Sequence, residues 1–320
     1  MPSSELPLAP TRRLGESDLV VSPLCFGGNV FGWTADRDQS FALLDAYVAA
    51  GGNFIDTADV YSAWAAGNTG GDSERILGEW LHKRGNRDQI IIATKVAKLS
   101  TRRGLAPANI RAALEDSLKR LRTDYVDLYY AHQDDLEVPI EDVLGTFQEL
   151  ISEGKVRHVA ESNFPADRLR ESLEIARKND LPRYLAVQDH YHLMERVRYE
   201  KELEPIVLEY GMSFLPYYSL ARGFLTGKYR AGVTVESARA KGASQYIGER
   251  GDRVLAALED VAAAHQTSMA SVALAWLLAQ PGVAAPLASA RTTDQLDDLL
   301  AMGSLGLTDP EIQRLTDASS

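Results

Sequence analysis

Four polar side chains stand where apolar runs give out in this 320-residue chain. Asp56 closes Asn53-Phe54-Ile55, Tyr61 follows just beyond it, Lys95 closes the run from Gln89, and His132 closes the run from Val126. A parallel β/α barrel opens all its strand C-termini on one face, so these distant positions would converge there. Acid, phenol, ammonium and imidazole together form a proton-donating group with no metal-ligand set and no strong nucleophile, which points to reduction of a carbonyl. Lys95 follows Ile91 and Ala93 at period two and should face the barrel interior with them. A lysine there is costly to desolvate unless a carboxylate pairs with it, and Asp56 is the candidate. His132 shares its parity with Val126, Leu128 and Tyr130 and should also face inward. Taken singly, Asp56 could cap a turn, Tyr61 could be a loop tyrosine and His132 a core histidine. The functional reading rests on their joint placement. An isolated phenol titrates near ~10 and is a weak acid at neutral pH. A neighbouring ammonium is expected to lower that value, making Tyr61 the acid and Lys95 its modulator. Asp56 would hold Lys95, and His132 would orient the substrate carbonyl. None of these groups can supply a hydride, so a cofactor must.

The elements that must position these residues alternate short β-branched or aromatic runs with longer amphipathic stretches, the pattern of repeated β-α units. Eight strands are expected at 22–27, 53–57, 90–95, 126–132, 156–162, 184–188, 212–217 and 283–288. Helices are expected at about 38–50, 73–83, 107–121, 140–153, 166–178, 199–210, 250–280 and 293–302. Gly51, Gly154 and Gly211 stop three of them, and Pro281 stops another. Thr308-Asp309-Pro310-Glu311 has capping-box spacing and should start a last helix within the C-terminal 303–320 segment. Residues 11–21 read as a small hairpin that closes the barrel floor. The fold expected is therefore α/β, a single (β/α)8 TIM barrel spanning 1–320 with a short N-terminal β-hairpin. The Gly-, Lys- and Arg-rich stretch 223–249 is expected as one long loop over the active face.

Composition narrows the partners. Hydrophobic residues make up 45% and charged residues 25%, as in an ordinary soluble globular protein. A net charge of −11 argues against nucleic acid, which calls for a basic stripe. No apolar run approaches the ~18 residues of a membrane span. The opening Met1-Pro2-Ser3-Ser4-Glu5-Leu6-Pro7-Leu8-Ala9-Pro10 lacks the basic start and apolar centre of a signal peptide. A single cysteine, Cys25, rules out an internal disulfide and suits a reducing, cytoplasmic setting. The sequence leaves the oligomeric state open.

No GxGxxG follows a strand; Gly27-Gly28-Asn29-Val30-Phe31-Gly32 has the wrong spacing, which disfavours a Rossmann site. Barrels commonly grip phosphates with the loops after the seventh and eighth strands. Here the first such loop runs from Ser219 and Leu220 through Arg222 and Gly223 to Lys228. The second runs Ser289-Ala290-Arg291-Thr292 into a helix whose amides suit a phosphate.

At these residues the chain resembles the aldo-keto reductases, over almost its whole length from Arg13-Leu14-Gly15 to Gln295-Leu296. Phe54-Ile55-Asp56-Thr57-Ala58-Asp59-Val60-Tyr61 is similar to the segment bearing that family's tetrad aspartate and tyrosine. Thr94-Lys95 and Leu128-Tyr129-Tyr130-Ala131-His132 resemble its lysine and histidine segments. The resemblance implies a carbonyl reductase using NADP (NADPH), with Ser162, Asn163 and Gln188 holding the nicotinamide carboxamide and Tyr217 stacking on its ring. It implies that Gly223 to Lys228 form the pyrophosphate loop, Arg291 reads the 2′-phosphate, and Gln295 and Asp298 lie near the adenine. Tyr218-Ser219 stands where the family usually has Ser-Pro, Ser289 where glycine is common, and Leu299 where asparagine is frequent.

Phe31, Trp33 and Trp64 fall in loops after the first two strands and are expected to line a substrate pocket for a small aldehyde or ketone. Ala63 to Asp72, with three glycines, would be a flexible wall. With no obvious cation in view, the pocket suits neutral, partly apolar carbonyls. His190 and His192 have a spacing that a metal site could use, but the lysine among the strand ends argues for no metal. His158 and Cys25 read as structural. Alternatives remain: an NADPH-binding redox-sensor barrel resembling potassium-channel β subunits with slow turnover, a metal-dependent barrel hydrolase or isomerase, and a purely structural barrel.

Overall fold

The fold is taken from a computed structural model that describes Leu8 and residues 10–320. The reading of the N-terminus as no signal peptide therefore falls mostly on residues 1–7 and 9, outside the described residues. An antiparallel pair, β1 (Arg12–Arg13) and β2 (Val20–Val21), precedes eight parallel strands. These are β3 (Cys25–Gly27), β4 (Phe54–Asp56), β5 (Ile91–Val96), β6 (Val126–Ala131), β7 (Val156–Ser162), β8 (Ala186–Gln188), β9 (Ser213–Phe214) and β10 (Leu287–Ala288). Strands β3 to β9 follow one another in the sheet, with β10 beside β3. The ring closes through Phe214 N to Gly282 O (2.8 Å), Ala284 N to Phe214 O (3.0 Å) and Leu287 N to Pro216 O (2.8 Å). This is a (β/α)8 TIM barrel with an N-terminal hairpin. Its strands are apolar runs because both faces are covered, one by the barrel lumen and the other by helices.

The lumen and the outer layer are distinct cores. Ile91, Ala93, Leu128, Tyr130 and Leu215 fill the inside, and the hairpin's Leu14, Leu19 and Val21 plug its floor. Gly15 lets the hairpin seat there: its φ is +53°, and a Cβ would meet Leu185 Cδ1 at 2.6 Å. Ile92, Val96 and Tyr129, at the alternate parity, pack under the helices. Val126, expected to point inward, belongs to this outer layer. The open end of the barrel, opposite the hairpin, carries the strand C-termini.

The outer helices are α1 (Arg37–Ala49), α2 (Asp72–Arg84), α3 (Pro107–Leu121), α4 (Ile140–Ser152), α5 (Ala166–Asn179) and α6 (Glu204–Glu209), the last entered through a wide π turn at Tyr199–Leu203. After a short α7 (Ala240–Ala243) come α8 (Glu249–His265), α9 (Met269–Leu278), α10 (Thr293–Leu300) and α11 (Asp309–Ala318). The helix expected over 250–280 is thus two helices, bent by 97°. Gln266 ends α8 in the left-handed region at φ 52°, and the Ser268 side chain accepts from Ser271 N to start α9. Thr308 and Glu311 form a capping box on α11. The 223–249 stretch is not a bare loop, since it holds α7 and a 3₁₀ turn at Ser244–Tyr246. Among the described residues, no single helix is long and apolar enough to cross a membrane.

Candidate active site

Parallel register sets the site's level. Asp56 on β4 lies beside Ala93, Lys95 on β5 beside Tyr130, and His132 donates its backbone N–H to Val96 O at 3.0 Å. Asp56 and Lys95 are fully buried. Lys95 Nζ donates to both Asp56 carboxylate oxygens at 2.6 Å, to Thr57 O at 2.9 Å and to the Tyr61 hydroxyl oxygen at 2.9 Å. The Tyr61 hydroxyl donates to Asp56 Oδ2 at 2.9 Å, and Gln188 Nε2 donates to Asp56 Oδ1 at 2.9 Å. Asp56 is thus a hub that neutralises the lysine and fixes the phenol. The His132 ring stands 6.2 Å from the Tyr61 ring, centroid to centroid. One cavity of about 790 Å³ opens above this cluster, bordered by Asp56, Tyr61 and His132 but not by Lys95, which lies behind the phenol.

The electrostatics differ from the sequence-based expectation in one respect. Tyr61 is held well above the usual phenol range, first by burial and then by the Asp56 charge. The Lys95 ammonium, shared with the Asp56 carboxylate, does not bring the phenol down to the usual range in the free protein. Burial also pulls Lys95 below the usual lysine range, with Asp56 opposing. His132 is pushed well below its ordinary value by burial, then by Lys95 and Lys98, so it is a neutral imidazole. Its Nδ1 is buried without a partner. The tautomer that leaves a lone pair there, and not an unpaired N–H, carries its proton on Nε2. Beside this cluster, Asp59 is buried with neither carboxylate oxygen hydrogen-bonded, and burial followed by the Glu74 charge raises its pKa to about 7.

The remaining predicted residues fall around the same cavity with one exception. Ser162, Asn163, Gln188 and Tyr217 form one wall, where Tyr217 donates to Asn163 Oδ1 at 2.7 Å and Asn163 donates to His132 O at 3.0 Å. Ser219, Leu220, Arg222, Gly223 and Lys228 form a second wall. There Arg222 and Gly223 are both left-handed, with φ of 59° and 96°. Ser289, Arg291, Gln295 and Asp298 complete the far end. The start of α10 is not left free: Thr292 accepts from Gln295 N, and Gln295 Oε1 accepts from Arg291 N at 3.0 Å. Trp33 and Trp64 meet edge to face at 5.7 Å beside Tyr61 and line the cavity. Phe31 does not. It is fully buried against Phe26, because the 3₁₀ turn Gly28–Val30 rotates it into the outer core. The 63–72 segment is tied down through Asn68, which donates to Gly32 O and Ser62 O at 2.9 and 3.0 Å.

Sequence reading missed several lining residues. Arg239, half-buried, joins Arg222, Lys228 and Arg291 as a fourth cation at the far end. Asn29 accepts from Ser289 Oγ at 2.6 Å. Lys98, Arg103 and Gln133 also line the cavity, so it does hold cations. Their loop positions fall outside any strand or helix period, which leaves no signal in the sequence. His190 and His192 turn to each other at 2.9 Å; His190 stacks on Tyr217, and His192 Nδ1 accepts from Met194 N. Among the described residues no group of His, Cys, Asp or Glu has a metal-binding arrangement. His158 pairs with Asp18 near the floor, and Cys25 is a buried free thiol.

Known proteins resemble this chain in sequence. The Aldo/keto reductase family profile matches residues 23–320. The chain belongs to the aldo/keto reductase family. It is 36% identical to Protein tas of Escherichia coli K12 over 312 residues, covering 89% of this chain and 90% of that protein. It is 33% identical to norsolorinic acid reductase stcV of Emericella nidulans, across 93% of this chain and 78% of that one. It is 32% identical to the oxidoreductase YrpG of Bacillus subtilis, across 94% and 93%. Family membership makes this aldo/keto reductase an oxidoreductase of a group that uses nicotinamide cofactors on small-molecule carbonyls.

Proposed function

We propose that the chain reduces an aldehyde or ketone to the alcohol with NADPH, and that Tyr61 is the general acid. The observation that carries this reading is the Asp56–Lys95–Tyr61 cluster, in which a half-buried, protonated phenol facing a large cavity is wired to a buried ion pair behind it. Bound dihydronicotinamide would supply the hydride. The protein's own residues supply the rest. Burial and Asp56 keep Tyr61 protonated at neutral pH, so the donor is loaded before the reaction begins. As the carbonyl oxygen gains charge, Tyr61 Oη gives it a proton and becomes phenolate. The phenolate is then stabilised by Lys95 Nζ, already 2.9 Å away. His132, neutral with its proton on Nε2, donates a hydrogen bond to the same oxygen and fixes the carbonyl's orientation. Lys95 does not border the cavity and acts through Tyr61.

Cofactor fit is supported by chemistry that matches end to end. Asn163 and Gln188 offer amide groups near Tyr61. At the other end Arg222, Lys228, Arg239 and Arg291 supply cations, and the Arg222 Nε is buried without a partner. Four cations exceed what a pyrophosphate alone needs, which favours a third phosphate and hence NADPH. The test is NADPH oxidation with a generic aldehyde such as benzaldehyde, run beside Tyr61→Phe. The variant should lose at least ~10²-fold in turnover while still binding NADPH with near wild-type affinity by fluorescence titration. Full turnover in Tyr61→Phe would remove that residue from the proton-donor role. Nicotinamide binding with negligible turnover in the wild type would favour the redox-sensor reading instead.

A further inference from the structure

Lys98 and Arg103 are cations that the reductase chemistry does not use. Both line the cavity that His132, Trp33 and Trp64 also line, and the Lys98 charge bears on His132. Their placement depends on one backbone feature. Strand alternation continued from Lys95 would turn residue 98 outward, toward the helices. Ala97 breaks the alternation with a φ of 103°, a region that L-residues rarely adopt, and Lys98 comes to line the cavity. Such a conformation is costly and persists only where surrounding structure enforces it, commonly at functional sites. The loop is enforced here. Gly104 N donates to Ala97 O at 3.0 Å, Leu105 N donates to Asp135 Oδ2 at 2.7 Å, and Arg102 pairs with Asp116 at 3.0 Å.

Lys98 is half-buried, and neither it nor Arg103 has a carboxylate partner among the described residues. The acid that bears most on Lys98, Asp189, is taken by Arg198 at 2.8 Å. Burial lowers the Lys98 pKa, and the nearby Lys95 adds to that, so its ammonium sits in a site that an incoming anion would stabilise. The chain's net charge of −11 works against anions at long range. A local unpaired cation beside an aromatic wall is therefore a selective feature.

We propose that Lys98, assisted by Arg103, selects carbonyl substrates that carry a carboxylate on an aromatic body. This deepens the reductase reading and rests on it. The carboxylate takes the Lys98 ammonium, the aromatic body lies along Trp33 and Trp64, and the carbonyl reaches Tyr61 and His132.

The test compares para-carboxybenzaldehyde with its neutral methyl ester on the full chain, wild type and Lys98→Met, with NADPH. One charge-assisted hydrogen bond should favour the acid on the order of tenfold in kcat/KM, mainly through KM. Lys98→Met should bring the acid-to-ester ratio near one, and Lys98→Arg should restore the preference. Binding of the two compounds is measured separately by quenching of tryptophan fluorescence, and should show the same ratios without turnover. An equal acid-to-ester ratio in wild type and Lys98→Met, or a wild type that favours the ester, overturns the proposal. If neither compound is reduced yet the acid still binds more tightly in a Lys98-dependent way, the reductase reading fails and the anion site stands.

Discussion

Replacing Lys95 by methionine tests the central cluster, because the structure fixes what is lost. The ammonium makes four contacts of 2.6 to 2.9 Å in a site where both partners of the ion pair are fully buried. Removing one partner of a buried pair costs about 3–5 kcal/mol, because the other charge is left uncompensated. Asp56 keeps hydrogen bonds from Tyr61 and Gln188 at 2.9 Å each, so the lower end, about 3 kcal/mol, is expected. An unfolding entropy of about 2.1 cal/mol/K per residue, taken over 320 residues, converts that to a Tm drop of about 4–5 °C. Catalysis should suffer more. An unpaired carboxylate 2.9 Å from the phenol raises its pKa further and removes the charge that stabilises phenolate, so kcat/KM should fall by at least ~10². Lys95→Met, Asp56→Asn and the double variant are compared by thermal melting and by NADPH consumption. The double variant should melt well above the sum of the two single losses, since no charge is left buried alone. Strictly additive losses, or wild-type turnover in Lys95→Met, would refute the coupling of these residues through one ion pair.

Other residues carry independent expectations. Arg291→Ala and Arg239→Ala should each raise the Kd for NADPH on the order of tenfold with a smaller effect on NADH, read by nicotinamide fluorescence; equal losses for both cofactors would place 2′-phosphate recognition elsewhere. Asp59, with a folded pKa of about 7 against an unfolded value near ~3.9, binds more protons folded than unfolded between those pH values, so its contribution to stability falls as pH rises through that window. Asp59→Asn should therefore gain Tm relative to wild type from pH 4 to 7 and hold that gain above it, and a pH-independent difference would contradict the raised pKa.

Most of the barrel is legible in the sequence because parallel strands covered on both faces must be apolar along their length. Runs such as Ile91 to Val96 and Val126 to Ala131 therefore stand out. Period-two parity also carries the strand-end residues: Lys95 is placed by Ile91 and Ala93, and the barrel's geometry brings it to Asp56. Parity fails one residue past the strand's regular backbone. At Ala97 a φ of 103° resets the direction of every side chain that follows, so Lys98 reaches the cavity against its parity. Phe31 fails for a related reason, as a 3₁₀ turn and not a strand sets its orientation. The helix break was readable in principle, since Ser268 stands as an N-cap in front of an apolar run. Arg239 was not, because it sits in a long connection with no period to register it against the cavity. The Tyr61 pKa marks a different boundary. Sequence spacing can bring a lysine and a tyrosine together, but it cannot say that one carboxylate serves both. That sharing matters for the proposed mechanism: with Asp56 bound to Lys95 and Tyr61 at once, the phenol would stay protonated until charge develops on the substrate oxygen. Lys95 offsets the carboxylate it shares with the phenol without bringing the phenol down to the usual range.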